Sequence, residues 1–200
     1  MNAPTKGLMT PEALLSYPHL FTAQEGMSGG DPKFSASFIF TEEQTATPEY
    51  HALVAAAAAV IQEKWGANTP SNIRSPFRED GASKGYPENS IFMSAKSSHQ
   101  PGIVDWNLAA INDEKEIYPG VVVRARVSCF AYDVNGNRGV AFGLDAVQKL
   151  RDGDRLDGRI AAKDAFSATE PPAAVDFADI DQAVAQGASA AMNDLGALLQ

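Results

Sequence analysis

Residues 121 to 132 read Val-Val-Val-Arg-Ala-Arg-Val-Ser-Cys-Phe-Ala-Tyr, and this run constrains the fold more than any other part of the chain. Its odd positions, Val121, Val123, Ala125, Val127, Cys129 and Ala131, are all small and apolar, whereas its even positions include Arg124, Arg126, Phe130 and Tyr132. Side chains alternate across a strand, so one face suits the interior of a closed barrel and the other is a cationic, aromatic strip. Asp133-Val134-Asn135-Gly136-Asn137 follows, and Asn-Gly is a strong two-residue hairpin signal. Val140, Phe142 and Leu144 then alternate on the return strand, so the two strands are predicted to pair antiparallel.

Two further segments have clear periodicity. Residues 33 to 40, Lys-Phe-Ser-Ala-Ser-Phe-Ile-Phe, place Phe34, Ala36, Phe38 and Phe40 on one face of a half-buried strand. Ser90 to Ser97 predicts another, with Ile91, Met93 and Ala95 opposite Phe92, Ser94 and Lys96. Between them, Thr47-Pro48-Glu49 supplies an N-cap, a proline at the first helical position and an acid in the first turn, and Gly66 a stop. The helix carries Leu53, Ala57, Val60 and Ile61 at three- and four-residue spacings, with Trp65 read as core. Residues 66 to 88 hold Gly66, Pro70, Pro76, Gly81, Gly85 and Pro87 and predict a long loop without regular structure, rich in Arg74, Phe77, Arg78, Lys84 and Tyr86.

Two hundred residues with 44% apolar content allow one domain and a tail more readily than two full domains. The longest apolar run, Ala52 to Ile61, is far short of the roughly 20 residues that span a bilayer. Met1-Asn2-Ala3-Pro4-Thr5-Lys6 leads into no secretory signal, so a cytoplasmic product is expected. A single cysteine, Cys129, allows no intrachain disulfide and reads as a buried thiol. The net charge of −9 argues at first against a nucleic-acid partner, because phosphate binding needs Lys and Arg. Its distribution alters that: residues 1 to 163 hold all 16 bases against 19 acids, and Asp164, Glu170, Asp176, Asp179, Asp181 and Asp194 follow with no base. Segregated acids of this kind mark either an interaction segment or a solvated terminus. Pro171-Pro172 and many alanines make the segment linker-like, with a weak helix over 180–199.

Motifs for catalysis fail in context. Gly26-Met27-Ser28-Gly29-Gly30 fits G-x-S-x-G, but a nucleophile elbow needs a strand before it and a helix after, and here Asp31-Pro32 and an alternating strand follow. His19, His51 and His99 have no metal-ligand spacing. Asp152-Gly153-Asp154-Arg155-Leu156-Asp157 and the 133–137 turn lack the sixth and twelfth residues of a calcium loop, and no phosphate-binding G-x-x-x-x-G-K-[ST] is present. Neither metal nor cofactor is expected, and no catalytic residue is assigned. What remains is the cationic, aromatic set. Sequence-tolerant single-strand binders need cations along the backbone path and flat side chains on which bases stack. The pattern alone equally allows these aromatics to pack under the helix and the arginines to pair with surface acids.

In order along residues 20 to 166 the chain carries Ser75-Pro76-Phe77-Arg78-Glu79-Asp80-Gly81, Phe92-Met93-Ser94-Ala95-Lys96-Ser97 and Pro101-Gly102-Ile103-Val104-Asp105. Ile117-Tyr118-Pro119-Gly120, Phe130-Ala131-Tyr132, Gly139-Val140-Ala141-Phe142-Gly143-Leu144 and Val147-Gln148 complete the series. In that order these segments resemble the OB-fold single-stranded DNA-binding proteins of tailed phages and prophages. The resemblance implies a mainly β chain with one principal helix, a five-stranded Greek-key barrel with long loops over 1–166 and an acidic C-terminal tail over 167–200. It also implies sequence-tolerant single-stranded DNA binding in phage replication, recombination or repair, with a tail that engages replication or recombination proteins or competes for the groove. An oligomer is compatible with it. Related binders end their tails on an aromatic residue; this chain ends Leu198-Leu199-Gln200, so docking would use Asp176, Phe177, Asp179, Ile180 and Asp181.

Strand-face reasoning assigns DNA contacts to Lys33, Arg74, Phe77, Arg78, Lys84, Tyr86, Phe92, Lys96, Arg124, Arg126, Phe130 and Tyr132, with the strand crossing the face of Arg124, Arg126 and Phe92. The rival readings are a structural phage assembly protein, whose aromatic strip would bury at a subunit interface, and a metal-dependent nuclease, which needs clustered carboxylates.

Overall fold

A computed structural model describes residues 5–26 and 29–156. The segment from 167 onward, with Asp176, Phe177, Asp179, Ile180, Asp181 and the helix expected over 180–199, lies outside the described residues. The strands are β1 (Thr5–Met9), β2 (Ala13–Gln24), β3 (Lys33–Phe40), β4 (Phe77–Arg78), β5 (Ile91–Ser97), β6 (Gly102–Val104), β7 (Val122–Val134) and β8 (Asn137–Arg151). The helices are α1 (Glu42–Thr45) and α2 (Pro48–Trp65).

Five of the eight strands close a ring. β7 pairs with β2, β2 with β3 and β3 with β5, all antiparallel; β5 pairs with β8 in parallel, and β8 returns to β7 antiparallel. The parallel junction is short, Ala95 opposite Phe142 and Lys96 opposite Gly143. β1, β4 and β6 are additions beside β7, β5 and β8. The expected five strands are therefore the ring, and the sheet as a whole has eight.

The hairpin read from Asn-Gly is present. Val134 pairs with Asn137 across Asn135 (φ 52°) and Gly136 (φ 79°), the two positive φ values that a type I′ turn requires. Val121, Val123, Ala125, Val127 and Cys129 are buried inside the barrel with Leu15, Leu20, Phe38, Phe40, Met93, Phe142 and Leu144. Each large apolar side chain removed from water here contributes about 1.5–3 kcal/mol. Burial pushes the Cys129 thiol up to about 11, so it is no nucleophile at neutral pH.

Helix α2 starts where the sequence places it: the Tyr50 amide donates to Thr47 Oγ1 at 3.3 Å and Pro48 opens the first turn. It buries Tyr50, Leu53, Ala56, Ala57 and Val60 and packs on β7 and β1. Trp65, expected in the core, is only half-buried; the apolar stripe ends a turn earlier, and the ring lies under Lys64, whose Nζ is 5.6 Å from its centroid. None of the helices among the described residues is long and apolar enough to cross a membrane.

The 66–88 segment is more ordered than its composition predicts. Phe77 and Arg78 form β4 against Met93 and Phe92, and Asp80–Lys84 make a 3₁₀ turn. Its anchor is a second small apolar cluster of Ile39, Tyr86 and Phe92 on the outside of the barrel. After β8 the chain folds back on the turn before β7: Leu156 N donates to Pro119 O at 3.0 Å, and Tyr118 Oη donates to Asp152 Oδ1 at 3.1 Å. Gly120 (φ 106°) and Gly153 meet there backbone to backbone.

Candidate nucleic-acid interface

The outer face of β2, β3 and β5 is built in cross-strand rows. Leu14, Ile39 and Phe92 form the first, Ser16, Ser37 and Ser94 the second, and His19, Ser35 and Lys96 the third. The first row is covered. Tyr86 stacks edge-on against Phe92 with centroids 5.3 Å apart, and its hydroxyl donates to Ser16 Oγ at 3.0 Å. The second row is a serine floor on which Ser37 Oγ and Ser94 Oγ share a hydrogen bond of 2.9 Å. The third row is open, and together with Lys33, Gln24 and the glycines of the 26–30 loop it lines a cleft whose rim also carries Glu25 and Asp31. Lys33 and Lys96 are exposed and have no ion-pair partner among the described residues.

The open row continues onto β8 and β7, because Lys96 lies opposite Gly143 and Gly143 opposite Ser128. Next along β7 come Phe130 opposite Ala141 and Tyr132 opposite Gly139, with the Arg74 backbone bridged to Gly139. Large side chains on β7 thus face small ones on β8. The Tyr132 ring occupies the space of an absent Gly139 side chain, its Oη 2.5 Å from where a Cβ would stand. Phe130 is exposed and Tyr132 half-buried, so a flat, partly open aromatic edge borders the serine and glycine floor.

Several assigned contacts are placed elsewhere. Phe92 is buried beneath the 77–90 segment, whose Tyr86 is buried against it, and neither presents a face to a base; the alternation of β5 pointed Phe92 outward correctly, but not the loop that covers it. Phe77 packs against Tyr50 and Phe142, at 5.4 and 5.8 Å between centroids, as part of the main core. The expected path across Arg124, Arg126 and Phe92 is therefore not one surface. Arg124 donates to Gln148 Oε1 at 2.7 Å in a hollow shared with Glu12, Glu43, Glu49 and the exposed Trp106, an acidic setting for a phosphate. Arg126 reaches over β1, its guanidinium in the room that Gly7 leaves.

Arg78 lies 5.0 Å over the Phe92 ring and donates to both carboxylate oxygens of Asp80, whose carboxyl that hydrogen bond holds below its ordinary range. Lys84 is exposed on the same segment. Sequence reasoning missed Ser35, Ser37, Ser94, His19, Gly139 and Gly143. The signal was available in Lys33-Phe-Ser-Ala-Ser-Phe, where serines alternate with the core aromatics.

A closed five-stranded ring with a polar, cationic groove beside its third strand and a long loop on either flank defines an OB-like barrel of the oligonucleotide-binding class. The chain belongs to the family described as Enterobacter phage Enc34, ssDNA-binding protein, whose family model matches residues 6–195. It is 33% identical over 156 residues to putative protein p50 of Acyrthosiphon pisum secondary endosymbiont phage 1, covering 72% of this chain and 83% of that one. Among solved structures, the single-stranded DNA-binding protein from bacteriophage Enc34 in complex with ssDNA superposes with a TM-score of 0.64 at 19% identity, over 74% of this chain and 87% of that one. Bacteriophage T7 gp2.5, a single-stranded DNA-binding protein, gives 0.59 at 13% identity, over 78% and 97%. At such identities the likeness is one of fold.

Proposed function

We propose that this protein binds single-stranded DNA stoichiometrically and without strong sequence preference, through an OB-fold domain over residues 1–166, in the service of phage or prophage replication, recombination or repair in the bacterial cytoplasm. The observation that carries this reading is the open row His19, Ser35, Lys96, Gly143 and Ser128, in which Lys96 and the nearby Lys33 have no ion-pair partner among the described residues and the exposed Phe130 ring follows Ser128 along β7. Family membership supports it. Small floor residues let a nucleic-acid backbone approach closely, cations meet phosphates and an exposed ring meets a base, none of which reads sequence. The nuclease alternative finds no site among the described residues, where no three His, Cys, Asp or Glu side chains converge.

Labelled single-stranded and duplex oligonucleotides, titrated at several salt concentrations, test the reading. Single strands are expected to bind more tightly, with log K falling against log salt by about 0.7 per phosphate neutralised. Equal affinity for duplex would overturn it.

The tail over 167–200 is part of the proposal. Six acids and no base follow Lys163, and a tethered acidic segment competes with phosphate for a cationic groove at high effective concentration. Truncation after Phe166 is expected to tighten DNA binding, most at low salt, with the gain shrinking as the Debye length falls from about 30 Å at 0.01 M to about 8 Å at 0.15 M. A Phe177→Ala, Ile180→Ala variant keeps every acid; if it strengthens binding too, Phe177 and Ile180 anchor the tail beside Asp176, Asp179 and Asp181. Unchanged affinity on truncation at low salt would refute the competition.

A further inference from the structure

Strand β2 departs from regular register with β3 twice, between Ser16 and His19 and again between His19 and Gln24, and the first of these places a single residue against two. Ser16 pairs with Ser37 and His19 with Ser35, so Tyr17 and Pro18 together oppose the single residue Ala36, which is a β-bulge. Pro18 has no amide hydrogen and cannot serve a ladder, which accounts for the bulge at this point. In a regular strand Tyr17 would alternate inward after Ser16. The bulge instead leaves it 57% exposed, with φ at 45°.

That conformation is costly for a bulky side chain and free for glycine. Burial compensates little here, because more than half of the residue is exposed. An aromatic that is both strained and largely exposed points to a use outside the fold. Its position supplies one. Tyr17 stands between Ser16, on the serine floor beside the covered cluster, and His19, in the open cleft with Lys33 and Lys96. Lys96 lies two strands from His19, about 10 Å at ordinary strand spacing.

We propose that Tyr17 is a stacking platform for a base of single-stranded DNA, held out by the bulge, while Lys33 and Lys96 take phosphates of the same strand. This rests on the single-strand reading above and names a contact within it. A base needs only a π-face to stack, so the contact is sequence-tolerant and uncharged, whereas the lysine contacts release counterions.

The full-length protein with Tyr17→Asn, Tyr17→Phe or Tyr17→Trp, titrated with oligo-dT across salt concentrations, tests it. Asparagine tolerates a positive φ, so Y17N is expected to melt no lower than the wild type, yet to bind about 10-fold more weakly with the salt slope unchanged. Y17F and Y17W are expected to bind as the wild type does. Wild-type affinity in Y17N would overturn the proposal, as would a loss in Y17F equal to that in Y17N, which would assign the effect to the hydroxyl. A lowered salt slope in Y17N would likewise overturn it, since the residue would then act through the cations. Failure of the wild type to prefer single strands would instead overturn the function on which the proposal rests.

Discussion

Lys33→Ala combined with Lys96→Ala is expected to lower the salt slope for single-stranded DNA by about 1.4, since each lysine neutralises one phosphate at about 0.7 per contact. If wild type and variant converge near 1 M salt, that slope difference is about a 25-fold loss of affinity at 0.1 M. Both side chains are exposed and have no ion-pair partner among the described residues, so their removal is expected to leave thermal stability within about 0.5 kcal/mol. Arg124→Ala is the contrasting variant. Glu12, Glu43 and Glu49 line the same hollow as Arg124, whose guanidinium is held by Gln148, and its loss is expected to change the slope little. A reversed ranking would move the phosphate path to the other end of β7.

The largest effect on stability is expected from Gly120→Ala. A Cβ at residue 120 would stand 1.8 Å from the Asp154 carbonyl oxygen and 2.8 Å from its carbon, both backbone atoms that cannot rotate away. The residue also holds φ at 106°, outside the range an alanine adopts readily, while its amide donates to Leu15 O at 2.7 Å and its backbone cannot move without breaking that bond. Overpacking and backbone strain add here, giving about 4 kcal/mol, or a fall in Tm of about 8–16 °C. Gly102→Ala is the control, with nothing within 4 Å of its added methyl, and is expected to be near neutral. Differential scanning calorimetry of both variants decides it; a Gly120→Ala protein melting with the wild type would mean that the 152–156 segment does not clasp the turn in solution.

Local pattern made the centre of the fold legible. The alternation over 121–132 and the Asn-Gly turn predicted β7, its buried face and its hairpin partner, and Thr47-Pro48 predicted the start of α2. β2 escaped because Tyr17-Pro18 breaks its alternation at the bulge, so neither half shows enough period to read as a strand. β4 and β6, at two and three residues, are too short to carry any period. For the interface, sequence identified residue types and strand faces but not coverage. Lys33 and Lys96 are on the open face as expected, whereas Phe92 has the right face and lies under Tyr86, a contact made by a loop whose path no periodicity encodes. Arg124 likewise has the predicted face, but its acidic neighbours come from positions 12, 43 and 49, distant in sequence.

The order in which ring strands leave the ribosome follows from how the ring closes. β2 and β3 emerge within the first 40 residues, yet β2 finds its other neighbour only at Val122 and Val123, and β5 its other ring neighbour only at Phe142 and Gly143. At about 5–20 residues per second, the roughly 100 residues between β3 and β8 take about 5–20 s to synthesise. For that interval the nascent chain holds Phe38 and Phe40, joined by Met93 once β5 has emerged, on a sheet with no opposite wall, and among the described residues α2 is the one long helix already made that can cover them.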